Sequence, residues 1–251
     1  MLRRLRKTPI PPRRLWPDGR AFATSAARTA RFLMDAAEAG PDARILDVGC
    51  GTGRLALGLK DHLGADGRYV GLDVNRKALR WARRNIGRSD PRLRFEHVDV
   101  YNGSYNRTGS IRPADFRFPH EAGSFDLVVL YSVFTHMVTT DVRHYLDEIV
   151  RVIEPGGTCV ATFYLMDSPQ VMRTANETLD FSHRMGEFFT VDPGVPERAI
   201  GYPEEVVGRM YEDAGMAVAS IEYGKWRTKR RAHSWQDAVI AVAAPDRTRH
   251  D

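Results

Sequence analysis

The stretch ILDVGCGTGR, residues 45–54, decides the fold of this chain. The run ILDV is typical of a buried strand, and it leads directly into Gly49, Gly51 and Gly53 and then into a predicted helix. Glycines let the backbone turn tightly and approach a ligand without an intervening side chain. The unpaired N–H groups at the start of the helix favour an electronegative ligand group. The stretch therefore predicts a strand, a ligand-binding loop and a helix.

Two kinds of ligand fit this loop when it is considered alone. The segment GTGRLA, residues 51–56, satisfies the dinucleotide pattern Gly-x-Gly-x-x-Ala, and Asp73 follows about 20 residues later, as that pattern requires. However, Asp47 stands two residues before the first glycine, inside an otherwise apolar strand. A buried carboxylate is unfavourable unless it is paired or hydrogen-bonded. Asp47 therefore indicates a ligand or a loop that needs a strong acceptor.

Strand and helix patterns alternate outward from this stretch. Strands are expected at 45–48, 69–74, 93–98, 125–134 and 158–165, and helices at 21–39 and 203–214. The helix after the fourth strand is expected to end at EPGG, residues 154–157. Nearly unbroken apolar strands that alternate with helices indicate a parallel sheet covered on both faces. The last two strands, at 216–223 and 234–243, are expected to pair antiparallel because no helix separates them.

The motifs, taken in order, make the sequence similar to the class I S-adenosylmethionine-dependent methyltransferases. DVGCGTG at 47–53 resembles the first strand and glycine loop of that family, and Asp73 matches the acid that ends its second strand. Asp99 matches the acid after its third strand, and RVIEPGG at 151–157 resembles the segment before its fifth strand. The resemblance covers approximately residues 40–165. It implies a Rossmann-like α/β fold: a seven-stranded, mostly parallel sheet with helices on both faces and one antiparallel strand near the edge.

The resemblance also implies S-adenosylmethionine as the cofactor. Asp73 is expected to accept hydrogen bonds from the ribose hydroxyls and Asp99 one from the adenine amino group, the alternative for each being a helix cap. The expected cofactor-binding residues are Asp47, Gly49, Cys50, Gly51, Thr52, Gly53, Arg54, Asp73, Val74, Asp99, Val100, Tyr131 and Ser132. No cluster of acids and histidines suggests a metal, so no metal is expected.

Histidine is the commonest general base, and an oxygen acceptor benefits from one. His136 follows the fourth predicted strand, beside the expected methyl-transfer site, and is the candidate base. The alternative is a polar residue that caps or packs at the next helix. Further candidate substrate contacts are His120, His183, Glu187 and Tyr105. The histidines that fall on helices, a strand or the tail are interpreted as structural: His62, His97, His144 and His250.

Length and composition predict one domain after a basic arm. The chain has 251 residues, 43% of them hydrophobic and 27% charged, as in ordinary globular proteins. Residues 1–19 are Pro-rich and basic, and residues 20–251 are expected to form a single methyltransferase domain. The polar segments 101–123 and 166–201 are interpreted as substrate or lid insertions, because both follow strands at the edge where parallel sheets bind ligands.

The net charge of +5 is concentrated in the arm. Residues 1–20 carry seven basic groups and one acid, so the rest of the chain is almost neutral apart from a basic cluster at 225–231. A basic tail can hold nucleic acid, but a solvated arm is the favoured interpretation. No apolar run is long enough to span a membrane, and the distant Cys50 and Cys159 suit a reducing compartment. A cytoplasmic protein without membrane association is therefore expected, and the sequence carries no signal for an oligomeric state.

The leading hypothesis is methyl transfer to an oxygen or nitrogen of a small molecule. Residues 104–137 resemble those of bacterial methyltransferases that act on sugars or secondary metabolites. An RNA or protein methyltransferase that uses the basic arm is the second hypothesis, although no Asn/Asp-Pro-Pro-Tyr segment follows the fourth strand. An NAD-dependent oxidoreductase is less favoured, because no Tyr-x-x-x-Lys pair occurs and Asp47 would be unexplained. A non-catalytic module that has kept the pocket is the remaining alternative.

Overall fold

The computed structural model describes residues 8–16, 21–166, 179–227 and 232–245. Its helices are α1 (Ala21–Ala36), α2 (Arg54–Leu59), α3 (Arg76–Asn85), α4 (Thr139–Val152) and α5 (Glu204–Asp213). Its strands are β1 (Arg44–Val48), β2 (Arg68–Asp73), β3 (Leu93–His97), β4 (Phe125–Leu130), β5 (Ile153–Phe163), β6 (Leu165–Met166), β7 (His183–Met185), β8 (Phe188–Thr190), β9 (Ile200–Pro203), β10 (Met216–Glu222) and β11 (Asp237–Ala243).

A seven-stranded sheet forms the centre of the molecule, in the order β10–β11–β5–β4–β1–β2–β3. The strands β1 to β5 run parallel to one another. β11 runs antiparallel to both of its neighbours, β5 and the edge strand β10. The predicted α/β fold with one antiparallel strand near the edge is therefore confirmed. The strand order reverses at β1, and open parallel sheets bind ligands at the carboxyl ends of the strands beside such a reversal.

Both faces of the central strands are buried. On one face of the sheet, Ile45 packs in an apolar cluster with side chains of α1, α2 and α3. On the other face, Leu46 packs in a cluster with side chains of α4 and α5. Because successive strand residues point to opposite faces, β1 needs apolar residues at almost every position. Two residues of β1 are not apolar: Arg44 at its start is half-buried, whereas Asp47 is buried, with an exposed fraction of only 3%.

β4 is shorter than predicted, and its end shapes the site. It stops at Leu130 rather than at residue 134. The backbone turns at Ser132, where φ is 63°, and then enters a short 3-10 helix, Phe134–His136. Val133 is half-buried and Phe134 is buried, so the apolar pattern continues past Leu130 and does not reveal where the strand ends.

The start of β5 also differs from the prediction. α4 ends at Val152 and β5 begins at Ile153, so EPGG at 154–157 belongs to the strand and not to the end of the helix. The pairing of β4 with β5 shifts register between Phe125 and Leu127, beside this segment. A left-handed residue, Gly156 with φ of 80°, lies within it. The glycines thus accommodate a local irregularity in the strand.

The insertion predicted at 166–201 contains a second sheet rather than only irregular structure. β6, β9, β8 and β7 pair in that order, with β6 parallel to β9 and the other pairs antiparallel. These strands have two to four residues, too few for a periodic pattern. The insertion at 101–123 has a 3-10 helix at Pro113–Asp115. Parts of the predicted segments lie outside the described residues, namely 1–7, 17–19, 167–178 and 228–231, and so does His250.

Candidate active site

The predicted glycine loop leaves the carboxyl end of β1 with left-handed backbone at all three glycines, where φ lies between 55° and 79°. Two N–H groups of the loop donate to the Leu72 carbonyl at 2.8 and 3.0 Å, which fastens the loop to β2. A Cβ atom at Gly53 would lie 2.8 Å from the Phe95 ring, whereas one at Gly51 would meet nothing within 4 Å. Gly53 therefore serves packing, and Gly51 faces open space.

A cavity of about 630 Å³ opens beside this loop, where the strand order reverses. It gathers most of the residues that the sequence analysis assigned to the site. These are Asp47, Gly49, Cys50, Gly51, Thr52, Arg54, Asp73, Val74, Val100, Tyr131, Ser132 and His136. Gly53 and Asp99 do not line the cavity.

Asp73 ends β2 and lies on the cavity wall. Its carboxylate accepts one hydrogen bond from the Gly51 N–H and one from the Asn75 N–H, both at 2.6 Å. Burial raises the pKa of Asp73, and these two donors oppose that effect. The cap of α3 is Asn75, whose side chain accepts from the first N–H groups of the helix, so Asp73 is not that cap. A carboxylate has about four acceptor positions, which leaves Asp73 capacity for a ligand diol.

Asp47 lies at the floor of the cavity and has a partner that the sequence analysis did not identify. The Tyr69 hydroxyl, from the neighbouring strand β2, donates to its carboxylate at 2.6 Å. Burial raises the pKa of Asp47 to about 7, although the Tyr69 hydrogen bond and the charge of Arg54 act in the opposite direction. The neighbouring carboxylate of Asp73 adds to the increase. Asp47 is therefore a buried acid whose charge depends on its surroundings near neutral pH.

Arg54, the first residue of α2, is held by contacts that the sequence analysis did not identify. One guanidinium N–H donates to the Thr29 hydroxyl in α1 at 2.6 Å. The guanidinium carbon lies 4.7 Å from the centre of the Tyr131 ring and 5.6 Å from that of Trp16. Trp16 belongs to the basic arm, and it lines the cavity together with Arg14 and Leu15. The described end of the arm is therefore part of the cavity wall.

Ser132 holds an uncommon left-handed backbone on the cavity wall, with φ of 63°. Its N–H donates to the Thr162 hydroxyl at 2.7 Å, and its own hydroxyl accepts from the Gln236 amide at 2.9 Å. Thr162 in turn donates to Gln236 at 2.7 Å. A non-glycine residue with positive φ is strained and persists only when its surroundings fix it. This buried network connects β4 to β5 and β11 and supplies that constraint.

Asp99, to which the resemblance assigns the adenine contact, does not line the cavity. Its carboxylate accepts from the Ser110 hydroxyl at 2.7 Å, and this hydrogen bond lowers its pKa. Ser110 lies in the 101–123 insertion, so the Asp99 carboxylate helps to hold this insertion against the end of β3. Val98 and Val100, on either side of Asp99, do line the cavity.

His136 lines the cavity from the 3-10 helix after β4. Its Nδ1 lies 2.8 Å from the carbonyl oxygen of Glu197, which can only accept, so Nδ1 carries the proton. Nε2 is then an acceptor, and the Tyr105 hydroxyl donates to it at 3.2 Å. Burial lowers the pKa of His136, which keeps the imidazole neutral at pH 7. The site therefore holds an oriented proton acceptor.

The cavity wall around His136 is mostly aromatic. We use the name aromatic wall for Tyr101, Tyr105, Phe116 and Tyr145. The first three belong to the 101–123 insertion, and Tyr145 projects from α4. Asn102 also lines the cavity, and its amide donates to the His136 carbonyl at 3.0 Å. The predicted insertion thus contributes to the site, although the sequence analysis named only Tyr105 from this wall.

The other candidate substrate contacts do not line this cavity. His120 lies 3.6 Å from Glu96, and His183 is exposed on β7. Glu187 pairs with Arg143 at 3.8 Å, on the outside of α4. In the part of the chain that the structure describes, no three His, Cys, Asp or Glu side chains lie close enough together to hold a metal ion. None of the described helices has the length and apolar character needed to cross a membrane.

Comparisons with known proteins agree with this geometry. Residues 45–157 match a family model described as a methyltransferase domain. A demethylmenaquinone methyltransferase of Bacillus cytotoxicus is 26% identical over 192 residues, 70% of this chain and 70% of that relative. One of Bacillus cereus is 28% identical over 120 residues, 48% of this chain and 44% of that relative. The chain thus spans less than half the length of some curated relatives that it matches.

Among solved structures, magnesium protoporphyrin IX methyltransferase from Synechocystis has a TM-score of 0.60, with 16% identity and 92% of each chain covered. At that identity the likeness concerns the fold alone. The domain match begins in β1 and ends in β5, so it includes the glycine loop, Asp73 and His136. The match favours the predicted family over a dinucleotide-dependent oxidoreductase. Residues 45–157 therefore match the methyltransferase family that the sequence predicts, and the seven-stranded sheet has the fold expected of its class I, S-adenosylmethionine-dependent members.

Proposed function

We propose that this protein transfers a methyl group from S-adenosylmethionine to an oxygen or nitrogen atom of a small molecule. The observation that carries the proposal is the continuity of one cavity. The same space reaches from the glycine loop and Asp73 to His136 and the aromatic wall. A methyl donor at the loop and an acceptor at His136 can therefore meet within a single enclosure, and such placement supplies much of the catalysis in group transfer.

The residues around the loop suit the proposed cofactor. Gly51 leaves open space where any larger residue would place a side chain, and Asp73 retains acceptor capacity for a ribose diol. Val74, Val98 and Val100 provide an apolar surface for an adenine ring. Asp99, by contrast, does not line the cavity, and its carboxylate already accepts a hydrogen bond from Ser110. We therefore expect Asp73 to contribute more than Asp99 to cofactor affinity.

The proposed chemistry needs alignment and a proton acceptor from the chain. The bound cofactor supplies a methyl group on a positively charged sulfur. Nε2 of His136 would accept the proton that an acceptor hydroxyl loses when its oxygen takes the methyl group and the carbon–sulfur bond breaks toward sulfur, once the Tyr105 hydroxyl has withdrawn from Nε2. The Glu197 carbonyl keeps Nδ1 protonated and stabilises the resulting imidazolium. An acceptor nitrogen that is already neutral needs only the alignment.

The aromatic wall supports a small acceptor with a flat or apolar face, such as a secondary metabolite. A sugar also suits these rings, because its C–H face packs against them. The curated relatives point in the same direction, since their name gives demethylmenaquinone, a small molecule, as the substrate. The described part of the arm lines the cavity through Arg14, Leu15 and Trp16. This placement favours a role at the cofactor site over recruitment of nucleic acid.

Isothermal titration calorimetry tests the cofactor assignment directly. The purified protein should bind S-adenosylmethionine and S-adenosylhomocysteine, and it should not bind NAD. Binding of NAD alone would overturn the proposal. Formation of S-adenosylhomocysteine with a panel of phenols, amines and glycosides then tests turnover. A protein that binds the cofactor but releases no S-adenosylhomocysteine with any acceptor of the panel, or with RNA, would support the non-catalytic alternative.

A further inference from the structure

A phenol group of the chain itself occupies the proton acceptor of the site. The Tyr105 hydroxyl lies 3.2 Å from Nε2 of His136, and the two rings meet edge to face with their centres 5.0 Å apart. Because Nδ1 donates its proton to the Glu197 carbonyl, Nε2 carries the one free lone pair of the imidazole. A substrate hydroxyl that gives its proton to His136 must therefore take the place that the Tyr105 hydroxyl holds.

The imidazole is fixed, whereas the tyrosine can yield. Nδ1 of His136 is held by the Glu197 carbonyl at 2.8 Å. The backbone of His136 donates to the Val133 carbonyl at 2.8 Å and accepts from the Asn102 amide at 3.0 Å. Tyr105, in contrast, is an exposed residue of the 101–123 insertion. Its contact of 3.2 Å is long for a hydroxyl donor, for which about 2.7–2.8 Å is usual, so a ligand can replace it at little cost.

The wall around Nε2 suits a flat ring better than a polyol. Phe116 and Tyr145 line the cavity there with their ring centres 6.1 Å apart. The one amide side chain among them, Asn102, donates to the His136 carbonyl, and its oxygen accepts from two backbone N–H groups of its own loop. A sugar needs a new partner for each hydroxyl that leaves water, whereas an aromatic ring with one hydroxyl needs only Nε2.

The acidity of the acceptor hydroxyl also matters, because His136 is a weak base. Burial lowers the pKa of its imidazole below the ordinary value of 6.5. A phenol has a pKa of about 10, whereas an aliphatic hydroxyl resembles water, whose pKa is about 15.7. Complete proton transfer to the same imidazole is therefore about 10⁵- to 10⁶-fold less unfavourable from a phenol. The base favours the more acidic hydroxyl.

We infer that the methyl acceptor is the phenolic hydroxyl of a small aromatic molecule, which displaces the Tyr105 hydroxyl from Nε2 of His136 and takes its place. This inference rests on the proposed function and narrows its substrate class. The phenol oxygen forms the bond to the methyl carbon, the carbon–sulfur bond breaks toward sulfur, and the phenol proton passes to Nε2. The products are an aryl methyl ether and S-adenosylhomocysteine. Tyr105 then determines specificity, because a ligand must replace the hydrogen bond that Tyr105 gives up.

Calorimetry on the complex with S-adenosylhomocysteine tests the displacement. The parent should bind 2-naphthol about 3- to 10-fold more tightly than 2-methoxynaphthalene, which has the same rings but no donor. His136→Leu removes the acceptor and should bring this ratio close to one. Tyr105→Phe removes the competing hydroxyl and should raise the affinity for 2-naphthol about 3- to 10-fold. An affinity that is unchanged or reduced in Tyr105→Phe would overturn the inference, as would a parent that does not bind 2-naphthol.

Tyr223→Phe is the matched control. This exposed tyrosine also loses a hydrogen bond, to Glu204 at 3.0 Å, and it does not line the cavity. Its substitution should leave the affinities for both naphthalenes unchanged. An increase equal to that of Tyr105→Phe would show that the gain does not come from Nε2 and would overturn the inference.

Turnover tests the substrate class separately from the proposed function. Release of S-adenosylhomocysteine by the parent should be at least about 100-fold faster with 2-naphthol than with 2-naphthalenemethanol, which carries an aliphatic hydroxyl on the same rings. Turnover of glycosides or amines without turnover of any phenol would overturn the inference and leave the proposed function intact. A protein that does not bind S-adenosylmethionine would instead refute the proposed function.

Discussion

The buried acid Asp47 makes the stability of this protein depend on pH in a defined way. Its pKa of about 7 is raised from the ordinary value of 3.8, chiefly by burial. In the native state the carboxyl therefore keeps its proton up to about pH 7, whereas in the unfolded chain it loses the proton near pH 4. Unfolding thus releases a proton between these values, and stability falls as the pH rises through this window. Asp47→Asn removes the titration and keeps the shape.

The size of the effect follows from the two pKa values of Asp47, about 7 in the native state and 3.8 in the unfolded chain. Between pH 5 and pH 7, each pH unit lowers the unfolding free energy by about 1.4 kcal/mol through this one group. Above pH 7 the native carboxyl is also ionised, and the contribution levels off. The parent should therefore lose roughly 3 kcal/mol of stability relative to Asp47→Asn between pH 5 and pH 8. Besides burial, the neighbours that affect this pKa are Tyr69, Arg54 and Asp73, and they are common to both proteins.

Urea unfolding of both proteins at pH 5, 6, 7 and 8, without cofactor, measures this difference. Asp126→Asn is a suitable control, because hydrogen bonds from Arg44 lower the pKa of Asp126. That carboxyl is ionised in both states throughout the range, so its variant should show no change between pH 5 and pH 8. If the free-energy difference between Asp47→Asn and the parent is the same at pH 5 and pH 8, Asp47 is charged throughout. The Tyr69 hydrogen bond and Arg54 would then outweigh burial, contrary to our reasoning.

Four further predictions concern the cavity and the arm. Asp73→Ala should weaken S-adenosylhomocysteine binding about 10- to 100-fold in calorimetry, because charged hydrogen bonds are lost, and an unchanged affinity would remove its ligand role. Gly51→Val should abolish binding, since a branched side chain resists φ of 55° and fills the open space; retained affinity would contradict this. His136→Ala should lower kcat at least about 100-fold for a hydroxyl acceptor, because the variant lacks the proton acceptor. The rate of the parent enzyme should rise with pH through a pKa below 6.5, since only the neutral imidazole accepts a proton. A small change in kcat would show that His136 has only a structural role. Deletion of residues 1–7 spares the turn in which the Pro12 carbonyl accepts from the N–H groups of Leu15 and Trp16, and it should leave cofactor affinity unchanged; a loss of RNA binding in a filter assay would instead support nucleic acid as a partner.

The sequence predicts the parts of the fold that depend on local pattern. The buried strands, the glycine loop and the acid at the end of β2 follow from periodicity and motif order, and the structure places them as expected. The early end of β4 does not follow, because Ser132 adopts its backbone through hydrogen bonds with residues 30 and 104 positions away. No pattern within a short window contains that information.

The unpredicted parts of the site arise from contacts between distant segments. Tyr69 meets Asp47 because β1 and β2 are neighbours in register, and Trp16 meets Arg54 because the arm folds back over the loop. A motif assigns residue types to a ligand but does not fix which way a side chain turns. Asp99 shows this limit, since a hydroxyl of the neighbouring insertion captures its carboxylate.

The hydrogen bond from Gln236 to Ser132 means that one wall of the cavity is completed only late in synthesis. Gln236 lies directly before β11, which inserts between β5 and β10. During synthesis, β1 to β5 and the glycine loop emerge first, but the turn at Ser132 lacks this constraint until residues 236–243 have left the ribosome. At that stage β5 has an unpaired edge, because β11 is not yet in place. An unpaired strand edge can pair with another chain, so this nascent intermediate is prone to aggregation. Because a ligand stabilises only states that bind it, cofactor should protect the finished fold and give little protection to this intermediate.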